Sequence, residues 1–299
     1  MARKDTQDID NVIKKLLFIN GDTCIPLTDV ITLVKDFLFD QLRIVLNAAI
    51  QNKNKRNGTK VGYGDFFVQT LKTPILAKRF LKQVMNVSMI RKISNTELYL
   101  DKPTDFEEDD ELMTLNEQDI DNKDEEFSDV FEKMKKQLDI PSQYTDFVKN
   151  GCMFDDESKN QRNIERFNRT EKMTSVEYIE FEDARKVSLF NSKPHIITCK
   201  LNKKMLSTID CNIPITVLNS EICFSLNWVT SELLAILVFQ AAYIRANRKD
   251  TDPNFNHFYD PIPVDNYRLA LKKSKRYSLT GNFLFGVIDS SSAPDLAKN

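Results

Sequence analysis

One arrangement occurs twice in this chain and limits what it can fold into: a long apolar helical stretch with a short helical stretch on either side. The first copy runs from about Asp8 to Leu71 and the second from about Thr174 to Lys273. Each long stretch is apolar over too much of its circumference to be covered by its two short neighbours, so each triplet needs another like it. Two copies in one chain predict a protein that pairs with itself and offers the outside of that pair to partners. With only 7 Gly and 10 Pro, the chain has little material for the tight turns of an all-β fold. The expectation is an all-α protein, soluble by its mean hydropathy of -0.40.

In the first copy, Asp8 is the expected cap of a short helix carrying Val12, Ile13, Leu16 and Leu17, which Gly21 ends. Thr28 or Asp29 then caps a long helix to about Asn54, striped with Val30, Leu33, Val34, Phe37, Leu38, Leu42, Val45, Leu46 and Ala49. Ile31, Phe39 and Ile44 fall off that stripe, so a second face is expected to be buried too. After a basic turn (Gln51 to Lys60), Lys60 and Asp65 are placed to form an ion pair that locks the turn onto a short helix, Asp65 to Leu71. A further helix, Pro74 to Ile93, carries Lys78, Arg79, Lys82, Arg91 and Lys92.

The net charge of -2 hides an uneven distribution, because Asp101 to Glu126 holds thirteen acidic residues against two lysines. Such a segment buries too little apolar surface to fold and reads as a solvated linker, or as a mimic of nucleic acid. Phe127 to Leu138 is helical in pattern, and Tyr144 to Phe154 reads as an irregular strap. In the second copy, Thr174 and Glu177 have capping-box spacing, and Tyr178, Phe181 and Ala184 face inward. The connection that follows offers two candidate short strands, Ile196 to Leu201 and Ile213 to Leu218. A long helix from about Ser220 to Arg248 and a short one with Tyr267, Leu269, Ala270 and Leu271 complete the triplet.

Little chemistry is encoded locally. The cluster Gly58 to Gly64 lacks the Lys-Ser/Thr of a phosphate loop, and the acidic runs lack calcium-loop spacing. His195 and His257 stand apart from any nucleophile or carboxylate motif, and the widely spaced cysteines make no zinc pair. Neither catalytic residues nor a metal or cofactor are expected. Ile222 to Ile244 is long enough to span a bilayer, but Glu232 at its centre favours a helix buried in protein. A charged N-terminus without an apolar run and five unpatterned cysteines fit a reducing compartment.

A helix of about three turns, one of about seven and another of about three is the layout of the histone fold. Beyond layout, the first half carries Leu16-Leu17-Phe18-Ile19-Asn20-Gly21, Pro26, Leu33-Val34, Asp36, Gln41, Gly58, Lys60 and Asp65. The second half carries Arg169-Thr170, Met173-Thr174, Glu177-Tyr178, Arg185, Ser188, Thr230, Glu232, Asp260-Pro261 and Ala270. In these residues the chain resembles the suppressor-of-Ty three family, a subunit of the SAGA transcription coactivator. It departs from the family at Asn227, Trp228 and Ser231, and the stretch Phe190 to Asn212 matches poorly.

The resemblance implies two histone folds in one chain forming an intramolecular pair. The first would span residues 1–95 with an extension helix and the second 166–277, with an acidic, largely flexible linker at 96–165 and a flexible tail at 278–299. It also implies a nuclear, non-enzymatic scaffold that binds TATA-binding protein, with other histone-fold and core subunits as neighbours. Glu232 is the expected partner contact, its carboxylate complementing a basic partner, unless it is paired internally. The first half alone fits a TFIID histone-fold subunit equally well. A fused doublet that binds DNA is the remaining alternative, resting on Gln51 to Lys60, Arg79, Lys82 and Lys272 to Arg276; a net charge of -2 argues against it.

Overall fold

The computed structural model describes residues 9–97, 128–193, 197–209, 218–247 and 260–286, and among these it is helical throughout, with no strand. Asp8, the acidic segment Asp101 to Glu126, the Ile213-to-Val217 part of the second candidate strand and the end of the tail lie outside the described residues. The first candidate strand is a correction, because Lys200 and Leu201 open a helix. The chain divides into two compact units: Met1–Lys72 with Asp155–Ser291, and Thr73–Phe154 with Ser292–Asn299.

The first unit opens with α1 (Ile9–Asn20), whose Val12, Ile13, Leu16 and Leu17 are buried at helical spacing. It ends at Gly21, whose φ of 127° lies where other residues are strained. There the amides of Gly21 and Asp22 turn back to the carbonyls of Phe18 and Leu17. Next comes α2 (Thr28–Lys55), about 42 Å long at the usual rise. Leu27 occupies its N-cap position without a side-chain cap, so Thr28 and Asp29 sit inside the first turn instead of capping it. Ile31 and Phe39 are buried beside the main stripe, as expected for a helix covered on two faces. The short α3 (Tyr63–Thr70) packs back onto α2.

After Asp155 a long helix again has a short helix on either side, with three further helices among the described residues, Glu157–Thr170, Lys200–Ile209 and Lys275–Thr280, added around and between them. Here α7 (Glu157–Thr170) is capped by Asp156, whose carboxylate accepts the Lys159 amide at 3.1 Å. Next, α8 (Ser175–Arg185) carries the capping box: Thr174 accepts the Glu177 amide at 3.3 Å, and the Glu177 carboxylate accepts the Thr174 amide at 2.8 Å. Then come α9 (Lys200–Ile209), the long α10 (Ser220–Ala246), α11 (Val264–Lys273) and α12 (Lys275–Thr280). The N-cap of α10 is Asn219, which accepts the Ile222 amide at 2.9 Å. Helix α10 is long and apolar enough to cross a bilayer, but 61% of its most apolar window is buried inside the unit. It contacts α1, α2, α3 and α11, as a core helix does.

Two details of this unit run against the sequence reading. Residues 157–165, expected in the linker, form most of α7. The segment Gly281 to Phe285, expected in a loose tail, is held on α2: buried Gln41 donates to the Gly281 carbonyl at 2.8 Å and accepts the Phe283 amide at 2.7 Å. Phe283 packs edge-on against Phe37 and Tyr277, which explains why the segment stays put.

The second unit contains α4 (Pro74–Glu97), α5 (Ser128–Gln137) and α6 (Ser142–Lys149). Helix α4 packs against α5 and α6, so it joins them instead of extending the first triplet. Phe131, Met134, Tyr144, Phe147 and Val148 are buried, and the Lys78 and Lys82 ammonium groups sit over the Phe154 ring at 5.8 Å. Tyr144 to Phe154, expected to be an irregular strap, is therefore helical to Lys149.

Candidate functional site

The loops of the two triplets meet at both ends of the first unit. At one end Asp22, just past α1, is 3% exposed and accepts the Ile262 amide at 3.0 Å and the Tyr267 hydroxyl at 2.7 Å. Burial raises its pKa, and the hydrogen bonds and the Arg245 charge oppose that rise. At the other end Asn219 donates to the Val61 carbonyl at 2.8 Å, and the Glu221 carboxylate accepts the Tyr63 amide at 2.9 Å. A Cβ on Gly62 would stand 2.9 Å from that carboxylate, so a larger residue there would push the Glu221 side chain aside. Each triplet thus supplies the loop before its long helix to the loop after the other's.

Two expected site residues stand differently in the structure. Asp65 is fully buried and its ion-pair partner is Arg56, not Lys60. Arg56 reaches both carboxylate oxygens, through Nε at 2.8 Å and Nη2 at 2.7 Å, a two-pronged grip that an ammonium cannot make. Lys60 is exposed and contributes its backbone carbonyl, which also accepts from Arg56. Glu232 is 9% exposed and faces Arg162 of α7 at 3.8 Å. It is therefore an internally paired carboxylate, held against Arg162 of α7.

Around that pair lies a cleft of about 390 Å³ bounded by the end of α1, one side of α7 and the C-terminal half of α10. Its floor is apolar, with Ala235, Phe239 and Ala242 repeating along α10, while Arg162, Arg166, Arg169, Lys172 and Arg245 stand around it with Glu165. Arg169 anchors α7: it donates to the carbonyl of Phe18 and, at 3.5 Å, to that of Asp22. Its guanidinium lies 5.3 Å and 5.4 Å from the Phe18 and Phe181 ring centroids. Burial first, then the neighbouring Arg166, push its pKa down to about 10, so it stays cationic at neutral pH. Burial also raises the Glu165 carboxyl, and burial with the Arg185 charge lowers the Arg166 guanidinium.

Sequence reasoning named Arg169 but missed Asp22, Arg162, Arg166 and Arg245. A signal was present in the basic positions 162, 166 and 169, which share one helical face; the strong polarity of the surrounding stretch masked it. No protein-family model, curated protein or solved structure matches this chain.

Proposed function

We propose that this protein is a non-enzymatic scaffold subunit of a SAGA-type transcription coactivator. Its two triplets are histone folds paired within one chain, and it binds TATA-binding protein in the nucleus and helps deliver it to RNA polymerase II promoters. The observation that carries the reading is the reciprocal loop contact at the two ends, Asp22 with Ile262 and Tyr63 with Glu221. That exchange between two short-long-short triplets supports an internal pair, which leaves outer surfaces for other subunits. Having both triplets in one chain favours this reading over a TFIID subunit that pairs between chains. The motif around Arg169-Thr170 and Met173-Thr174 supports the family assignment. In this reading Glu232 shapes the partner surface from beneath, by holding Arg162 and α7 on α10.

Affinity purification of the tagged protein at moderate salt, followed by mass spectrometry, tests the proposal. An acetyltransferase coactivator together with TATA-binding protein is the expected recovery. Core histones and DNA alone would replace the proposal with a chromatin-binding role. A Glu232→Lys variant should lose TATA-binding protein in the same experiment while still unfolding in one cooperative transition, at a lower midpoint because its pair with Arg162 is broken.

A further inference from the structure

The cleft beside α7 has features that a scaffold helix does not require. Arg162, Arg166 and Arg169 follow one another along one side of α7 at helical spacing, Lys172 continues the row just past the helix, and Arg245 stands across from them on α10. Arg166 is exposed as a residue although the cleft walls partly desolvate its guanidinium, it forms no ion pair among the described residues, and the nearby Arg185 adds to the positive field. The floor alternates Ala235 and Ala242 with Phe239 along α10, and the two alanines leave recesses on either side of the ring. Ala235, Phe239 and Ala242 are each only partly buried, and Tyr243 at the edge is 64% exposed.

We propose that this cleft docks an acidic, amphipathic peptide segment of a partner protein, its apolar side chains on the α10 floor and its carboxylates on the basic rim centred on Arg166. The inference does not depend on the coactivator reading. Two properties of the surface select this occupant. Arginine forks match carboxylates in a planar, two-pronged geometry, and all three lining cations on α7 are arginine. An apolar floor would be wasted on a free anion, and with Phe239 as its one ring it lacks the row of aromatic platforms on which single-stranded nucleic acid stacks. A volume of about 390 Å³ accommodates a few anchoring side chains, in the manner of helix-in-groove recognition.

The test uses the full chain and a fluorescent synthetic peptide of about fifteen residues, with leucine and phenylalanine on one helical face and glutamate on the other. Three competing probes accompany it: the same peptide with glutamine for glutamate, the same peptide with lysine for glutamate, and a labelled oligothymidylate. Anisotropy should show saturable binding of the acidic peptide and at least about tenfold weaker binding of the glutamine version. Arg166→Glu should weaken the acidic peptide by about tenfold and improve the lysine peptide, a swap that a folding defect cannot produce. Ala242→Leu, which fills the groove, should weaken the acidic peptide without changing the Trp228 fluorescence that reports folding. Equal binding of the glutamine peptide, or indifference to both substitutions, would overturn the proposal. Oligothymidylate binding that Arg166→Glu abolishes, with no peptide binding, would overturn it in favour of a nucleic-acid surface.

Discussion

Replacing Arg56 with alanine should unfold the first unit far more easily, while replacing Lys60 should do almost nothing. Asp65 is completely shielded while the Arg56 side chain is 13% exposed, so it is the carboxylate that water cannot reach once Arg56 is gone. In the variant, the buried carboxylate would keep the Gly62 amide at 2.9 Å but lose both guanidinium bonds. Breaking a buried pair from one side costs about 3–5 kcal/mol, because the surviving charge is left uncompensated. The Lys60 carbonyl that also accepts from Arg56 would lose that bond. Lys60→Ala, in contrast, keeps the carbonyl and removes an exposed chain, a change within about 0.5 kcal/mol.

Urea unfolding can be followed through Trp228, the single tryptophan, which lies in α10 of the same unit. With a slope of about 2–3 kcal/mol per molar, Arg56→Ala should lower the midpoint by about 1–2 M and Lys60→Ala should leave it in place. Arg56→Ala with Asp65→Ala should be less damaging than the sum of the single changes, since the orphaned charge is then gone. If Lys60→Ala were as harmful as Arg56→Ala, or if neither shifted the midpoint, the bidentate pair would not be what holds the turn after α2.

Three further predictions concern the junction around Asp22 and the buried thiols. Asp22 has a raised pKa, so its contribution to stability is complete below the unfolded value and declines as pH rises through the folded one. Asn at this position does not titrate; the urea-midpoint gap between wild type and Asp22→Asn should therefore widen on going from neutral pH into the acidic carboxylate range, and a shrinking gap would contradict the sign. Gly21→Ala must hold alanine at a φ of 127° with its Cβ 3.5 Å from Val238, which should cost about 1–3 kcal/mol in the same urea assay. Burial pushes the Cys152 thiol up to about 11 and Cys223 up to about 12, whereas Cys24 is exposed. Alkylation mapped by mass spectrometry at pH 8 should thus mark Cys24 well before Cys152 and Cys223, and rapid labelling of Cys223 in native protein would show that α10 is not enclosed.

The elements that were legible beforehand are those specified within a few residues along the chain. The stripe of α2, the Gly21 stop of α1 and the Thr174–Glu177 box depend on helical spacing and on orphan amides a turn away, and both are visible in a string of residues. Positions whose role depends on distant segments were not legible in that way. Gln41 is a polar interruption in the α2 stripe until residues 281 and 283 arrive to bond both ends of its amide. Residues 157–165 are too polar to signal a packed helix, yet Arg162 and Arg169 fasten α7 through Glu232 and the end of α1.

The sequence by itself determined that this is a helical protein with two long core helices, because apolar periodicity and capping are local and burial of such faces is obligatory. It also located Asp65 and Glu232 as charges that needed explanation. Only the tertiary structure decided who answers them: Arg56 instead of Lys60, and Arg162 from a stretch that looked like linker. The reason is geometric. An ion's cost depends on how far the folded chain removes it from water, and its partner is whichever group the packing brings within reach, which spacing along the chain does not encode.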